Sequence, residues 1–148
     1  MDLKNRLQDD IKTAMRGGDK DRLLTLRMLS AAIKQREIDE RIVLDDAQVL
    51  AVVEKLIKQR REAAIQYEAG NRPELAAKEL GEAALLQGYL PEPLSETELD
   101  ALIETALADN GGTGIKDMGR IMAALKPKIQ GRADMGAVSG RLKSRLGG

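Results

Sequence analysis

The chain has no cysteine, no histidine, no phenylalanine and no tryptophan in its 148 residues. Each absence removes a class of chemistry. Without cysteine there is no disulfide, no thiolate nucleophile and no zinc–thiolate site. Without histidine the commonest general base and the commonest metal ligand are gone too. Only Tyr67 and Tyr89 carry aromatic rings, too few for the stacking platforms by which RRM and OB modules hold RNA. Net charge is also missing, because 24 Lys and Arg balance 24 Asp and Glu. No overall field therefore advertises a polyanionic partner. The longest apolar run near the middle, residues 49–53, is far too short to span a bilayer. The opening MDLKNRLQDD lacks the apolar core of a secretory signal peptide. The expectation is a cytoplasmic protein with no membrane association, no cofactor and no metal.

What remains reads as a soluble helical chain. It is 43% hydrophobic and 32% charged, and its apolar residues are Leu, Ile, Val, Ala and Met, which suit helices. Leu3, Leu7, Ile11 and Ala14 mark a first helix over residues 3–16. Gly17 and Gly18 stop it, and Asp19 caps a second helix over 20–35, with Leu23, Leu26 and Ile33 inward. Residues 36–44 read as a polar connection. Asp45 or Asp46 opens a long third helix to Ala69, with Val49, Val52, Val53, Leu56 and Ile57 on its buried face. Pro73 suits the first turn of a fourth, running to Leu90, which Gly81 and Gly88 are expected to fray or kink.

Two prolines in Pro91-Glu92-Pro93 suppress helix and make residues 91–94 the natural domain boundary. Ser95 and Glu98 then form a capping box for a fifth helix. Residues 110–114 form a glycine-rich loop, and Asp117 caps a sixth helix that Pro127 should bend. Gly131 stops it, and Asp134 caps a seventh with Val138, Leu142 and Leu146 inward. No segment alternates as a strand does. The fold class is all-α: an N-terminal hairpin or bundle of about four helices over residues 1–90, and a three-helix domain over 95–148.

Seven glycines crowd residues 111–140 and raise the question of a phosphate-cradling loop. A Walker loop needs glycine, lysine and then a hydroxyl residue, but Ile115 follows Gly114 and Asp117 follows Lys116. The dinucleotide fingerprint fails as well, since no strand precedes Gly112-Thr113-Gly114. These glycines read as stops and caps, with Gly136 and Gly140 as close-packing positions. The charge of this region is more informative. From Gly111 onward, Lys116, Arg120, Lys126, Lys128, Arg132, Arg141, Lys143 and Arg145 stand against Asp117 and Asp134, a local charge of +6. Those eight residues are either a solvated face or a surface that tracks phosphates. No catalytic residues are identified: the acids sit at connections and helix starts, without a nucleophile or metal-ligand spacing.

Two stretches carry a family resemblance. They are IKQRREAAIQYEAGNRPELAAKELGEAALLQGYLPEPLSETEL over residues 57–99 and DMGRIMAALKPKIQGRADMGAVSGRLKSRL over residues 117–146. Both resemble the YqeY family, bacterial proteins related to the C-terminal tail domain of the B subunit of glutamyl/aspartyl-tRNA amidotransferase. DRLLTLRMLSAAIKQREID fits the family's second helix, so the likeness covers nearly the whole chain. In that enzyme the tail is a helical appendage that helps recognise the tRNA body, while transamidation belongs to other parts. The resemblance therefore implies a non-catalytic module that contacts tRNA, or a tRNA-handling enzyme, through the +6 segment. An alternative is a protein-interaction adaptor, or a self-associating chain, that uses an apolar edge of the long third helix and is sensitive to Leu56→Glu. A carbon–nitrogen ligase activity with glutamine as donor would be inherited from the family label alone. The chain lacks the Ser-Lys amidase arrangement that such an activity needs.

Overall fold

The structure is a computed structural model and describes residues 2–111 and 114–147. Among these residues there are seven α-helices and no strand, so the chain is all-α as its periodicity indicates. The helices are α1 (Leu3–Gly17), α2 (Lys20–Glu40), α3 (Asp46–Ala69), α4 (Pro73–Gln87), α5 (Glu96–Asn110), α6 (Met118–Ile129) and α7 (Met135–Gly147). A 3-10 turn, Ile115–Asp117, precedes α6. Two compact units divide the chain, Met1–Leu90 and Pro91–Gly148. Gly112 and Thr113 of the expected glycine loop lie outside the described residues, whereas Asn110 belongs to α5.

In the first unit three of the four helices start where a short polar side chain satisfies a free backbone N–H. The fourth, α4, starts without a side-chain cap at Pro73, which has no N–H to satisfy. Asp2 accepts from Asn5, Asp19 from Arg22, and Asp45 shares a reciprocal capping box with Gln48. Gly18 ends α1 with φ 67°, a left-handed turn that costs glycine nothing. The second helix runs five residues past its expected end, to Glu40. Nothing between Gln35 and Glu40 breaks it, and the Arg36–Glu40 pair at 2.6 Å supports its last turn. It stops at Arg41, whose left-handed φ of 55° costs a non-glycine residue roughly 1–2 kcal/mol. Glu37 secures that stop, accepting from Lys4 Nζ and from the Leu44 backbone N–H, both at 2.9 Å.

Leu26, Leu29, Val53 and Leu86 are fully buried at the centre of this unit. Leu56 is buried with them. Leu56→Glu would therefore break the core instead of probing a surface. The unit is closed by Tyr89, which lies just beyond α4 and is buried. Its hydroxyl donates to the Asp10 carboxylate, and the Arg6 guanidinium stacks 4.5 Å from its ring centre. Arg6 also donates to the Gly88 carbonyl at 2.8 Å. Burial, and then the Asp10 carboxylate, push the Tyr89 phenol well above its ordinary value, so it stays a donor.

The second unit has its own core of Leu99, Ile103, Ile121, Leu125, Ile129, Val138 and Leu142. Its middle helix, α6, packs against both α5 and α7. Ser95 and Glu98 form the expected capping box, and Asp134 caps α7 through the Ala137 N–H at 2.9 Å. Asp117 does not cap α6. Its carboxylate takes the Arg120 guanidinium at 3.1 Å, because the 3-10 turn keeps Asp117 itself in helical geometry. Pro127 falls in the last turn of α6, which ends two residues later at Ile129. Gly140 is not a close-packing position: a methyl group there would meet nothing within 4 Å.

Two outcomes follow for the first unit. Tyr89→Phe should destabilise it by roughly 1–2 kcal/mol, the worth of a hydrogen bond to a partly screened carboxylate. Tyr67→Phe should change stability by less than about 0.5 kcal/mol in the same urea titration followed by circular dichroism. The Lys4 ammonium, and then the Leu44 N–H, hold Glu37 below its ordinary 4.5. A lowered folded value means that its stabilisation is present above pH 4.5 and is lost as pH falls through the folded value. Both tyrosines lie in this unit, so tyrosine fluorescence during melts follows it alone. Glu37→Gln should flatten the fall of its melting temperature in acid; an unchanged slope would show that Glu37 is not responsible.

Candidate functional site

The eight cations of the basic segment divide by residue type. All four arginines are engaged within the second unit. Arg141 donates to Asp100 at 2.8 Å and to Glu96 at 2.6 Å, and Arg145 pairs with Glu104. Arg120 reaches the Asn110 carbonyl at 2.7 Å as well as Asp117. Arg132 donates through Nε to the Glu92 carbonyl at 2.9 Å, while its own carbonyl accepts from Leu94 at 2.8 Å. Arg132 thus ties down residues 91–94 and stands 3.8 Å from Glu98. The four lysines, Lys116, Lys126, Lys128 and Lys143, are exposed. None of them makes an ion pair among the described residues.

The acids that take Arg132, Arg141 and Arg145 come from the start of the unit. Residues 91–110 hold Glu92, Glu96, Glu98, Asp100, Glu104 and Asp109 and no base, a charge of −6 that cancels the +6 of the following segment. Glu96, Asp100 and Glu104 recur one turn apart on α5, and Arg141 and Arg145 one turn apart on α7. Two four-residue spacings therefore meet as a ladder. The Arg145 guanidinium holds Glu104 below the usual carboxylate range, and the Ser95 cap, with Arg132 as a lesser cause, does so for Glu98. Arg141 and Arg145 are held more strongly protonated by the same partners. Such pairs are half exposed, and each adds little to stability. Their larger effect is on the field, because unit 2 has no net charge to offer a polyanion.

Around the free lysines the helix surfaces are bare. Gly119, Ala123 and Pro127 are exposed on α6 beside Lys126, and Gly136, Gly140 and Ser144 on α7 beside Lys143. None of these six residues has a long side chain, which leaves room for a polymer backbone beside Lys126 and Lys143.

The first unit holds one further charged cluster. Arg60 Nε lies 3.2 Å from Glu82 and 3.7 Å from Glu79, and its terminal nitrogen reaches the Met28 sulfur. It clamps α3 to α4 and α2. A groove of about 610 Å³ runs between α2 and α3, with Arg36, Asp39, Glu40 and Lys55 on its walls and Val52 and Leu56 in its lining. Among the described residues no group of three or more acids is placed to hold a metal, and no helix is long and apolar enough to cross a membrane. The charge of the segment taken by itself does not reveal its partners on α5. Their regular spacing was the available signal.

A family described as "Yqey-like protein" matches residues 4–146. Among curated proteins the chain is 30% identical to a protein named "Altered inheritance of mitochondria protein 41, mitochondrial" from Pyrenophora tritici-repentis, over 96% of this chain and 80% of that protein. Proteins of the same name from Vanderwaltozyma polyspora and Lachancea thermotolerans are 36% and 33% identical over 70% and 74% of the chain. The chain spans only 57% and 60% of the length of these two. Neither the family description nor these names state a catalysed reaction. The cytoplasmic expectation is corrected by the same names, each of which says mitochondrial. It rested on the missing apolar core of a secretory signal, and mitochondrial transit peptides are amphipathic instead. The match over almost the whole chain places this protein in the YqeY-like family.

Proposed function

We propose that this chain is a non-catalytic helical module that contacts tRNA, or an enzyme handling tRNA, through Lys116, Lys126, Lys128 and Lys143. The observation that carries the reading is the division of labour among the cations. Arginines hold α5, α6 and α7 together, while the lysines stay exposed and free, Lys126 and Lys143 beside residues without long side chains. The likeness to the amidotransferase tail supports tRNA as the polymer. Four lysines supply phosphate contacts and no base readout, so recognition is by backbone and shape. Arg120, Arg132, Arg141 and Arg145 are assigned here to structure and not to the RNA. The reading includes no catalytic step, and glutamine- and ATP-dependent turnover by the pure chain would contradict it. A second reading, a protein adaptor without RNA contact, is favoured by the zero net charge of the second unit.

Fluorescence anisotropy of labelled bulk tRNA, with a plain RNA duplex as control, tests the choice. Four phosphates neutralised set a limit of roughly −4 on the slope of log affinity against log salt. Lys126→Glu with Lys128→Glu should abolish binding. Converting Glu96, Asp100 and Glu104 to their amides should strengthen it by freeing the arginines. Absence of tRNA binding at low salt, or affinity untouched by the lysine reversals, would leave the adaptor reading.

A further inference from the structure

The outer face of α2 carries a pattern that neither the core nor the lysines of the second unit use. Lys20, Arg27 and Lys34 on the helix, and Arg41 just past its end, stand seven residues apart. All four are exposed, and among the described residues none of their side chains forms an ion pair or a hydrogen bond. Beside them runs a second row of the same period, Leu24, Ala31 and Ile38, with Leu24 59% and Ile38 70% exposed. The opposite face of α2, through Leu26, Leu29 and Ile33, is the one buried in the core. The helix is therefore apolar on two sides, and the fold covers one of them. Gln35 and Asp39, bonded to each other at 2.8 Å, bound the apolar row on its far edge, where the groove shared with α3 begins.

The period decides what fits. On a straight α-helix a strict seven-residue repeat drifts by about 20° per heptad. The basic and apolar rows drift together, so from Leu24 to Ile38 they remain side by side along a face about 21 Å long. A second helix wound left-handed around α2 follows that drift throughout. A flat bilayer does not, and two large apolar side chains without aromatics make a poor interfacial anchor. A polyanion such as RNA has no use for the apolar row. A second copy of this chain has the wrong charges. Antiparallel pairing of α2 about Ala31 sets basic row against basic row, and parallel pairing sets it against Thr25, Ala32 and Asp39, where only one residue is acidic.

We infer that the outer face of α2 docks an amphipathic helix of a protein partner, one whose apolar stripe is bordered along one edge by acidic residues. Leu24 and Ile38 pack into that stripe, Ala31 lets the two backbones approach, and the basic row meets the acidic edge. The site lies wholly in the first unit and stands whether or not the second unit touches RNA.

The test uses the full chain and a labelled synthetic helix of about three heptads, with Leu and Ile in the stripe and Glu along one edge. A matched peptide carries Lys in place of Glu. Anisotropy should show the acidic peptide binding at least about tenfold more tightly than the basic one. Leu24→Glu with Ile38→Glu should abolish binding. Arg27→Glu with Lys34→Glu should reverse the preference between the peptides. Melts of these variants should match the parent, since every substituted position is exposed, and Lys126→Glu with Lys128→Glu should leave peptide affinity unchanged. Equal binding of both peptides, or none, would overturn the inference. So would binding to vesicles of phosphatidylcholine and phosphatidylglycerol, or a dimer in sedimentation, if the Leu24 and Ile38 variant removed it.

Discussion

Glu96, Asp100 and Glu104 climb one side of α5 at one residue per turn, and Arg141 and Arg145 climb α7 at the same spacing. That match governs what the C-terminal unit can do. A stretch of the chain that looks strongly basic folds against the stretch that looks strongly acidic, and the two charges cancel within one small domain. Three short helices around an aliphatic core with no aromatic residue gain little specificity from packing shape alone. Long arginine side chains span α5 and α7 and set which carboxylate faces which guanidinium. The lysines are left over, and only they remain available to an outside anion.

The N-terminal unit solves a related problem with one aromatic residue. Its core is also aliphatic, and Tyr89 is the single ring buried in it. Placing that ring between Arg6 and Asp10 pins the end of α4 to the start of the chain. Arg60 performs a similar service between α3 and α4, held by Glu79 and Glu82. In both units, charged side chains bridge neighbouring helices over an aliphatic core. α2 is then the odd element, with charges and apolar residues on its outer face that bridge nothing within the chain.

Local features were legible in the sequence, and long-range ones were not. The caps at Asp19, Asp45, Ser95 and Asp134 were readable because each involves residues within three positions of one another. The end of α2 was not, because Arg41 adopts a left-handed conformation that no glycine announced. Asp117 looked like a cap, but the preceding 3-10 turn took it out of the geometry a cap requires. The pairing of Arg141 with Glu96 spans 45 residues, and that of Tyr89 with Asp10 spans 79. No reading of a segment by its own composition finds such partners. The four-residue spacings on α5 and α7 were visible, yet they become informative only once the two helices are known to face each other.

The most direct measurement is nuclear magnetic resonance of the arginine guanidinium Nη–H groups, through which Arg141 and Arg145 meet their carboxylates, while the chain is titrated with bulk tRNA. If the arginines of the basic segment are internal counterions, the signals of Arg141 and Arg145 should be slowed in solvent exchange at the outset. They should then stay in place through the titration, whatever the lysine ammonium signals do. Fast-exchanging arginine signals that shift on the first additions of tRNA would contradict it. Arg141 and Arg145 would then belong to the RNA surface and not to the fold.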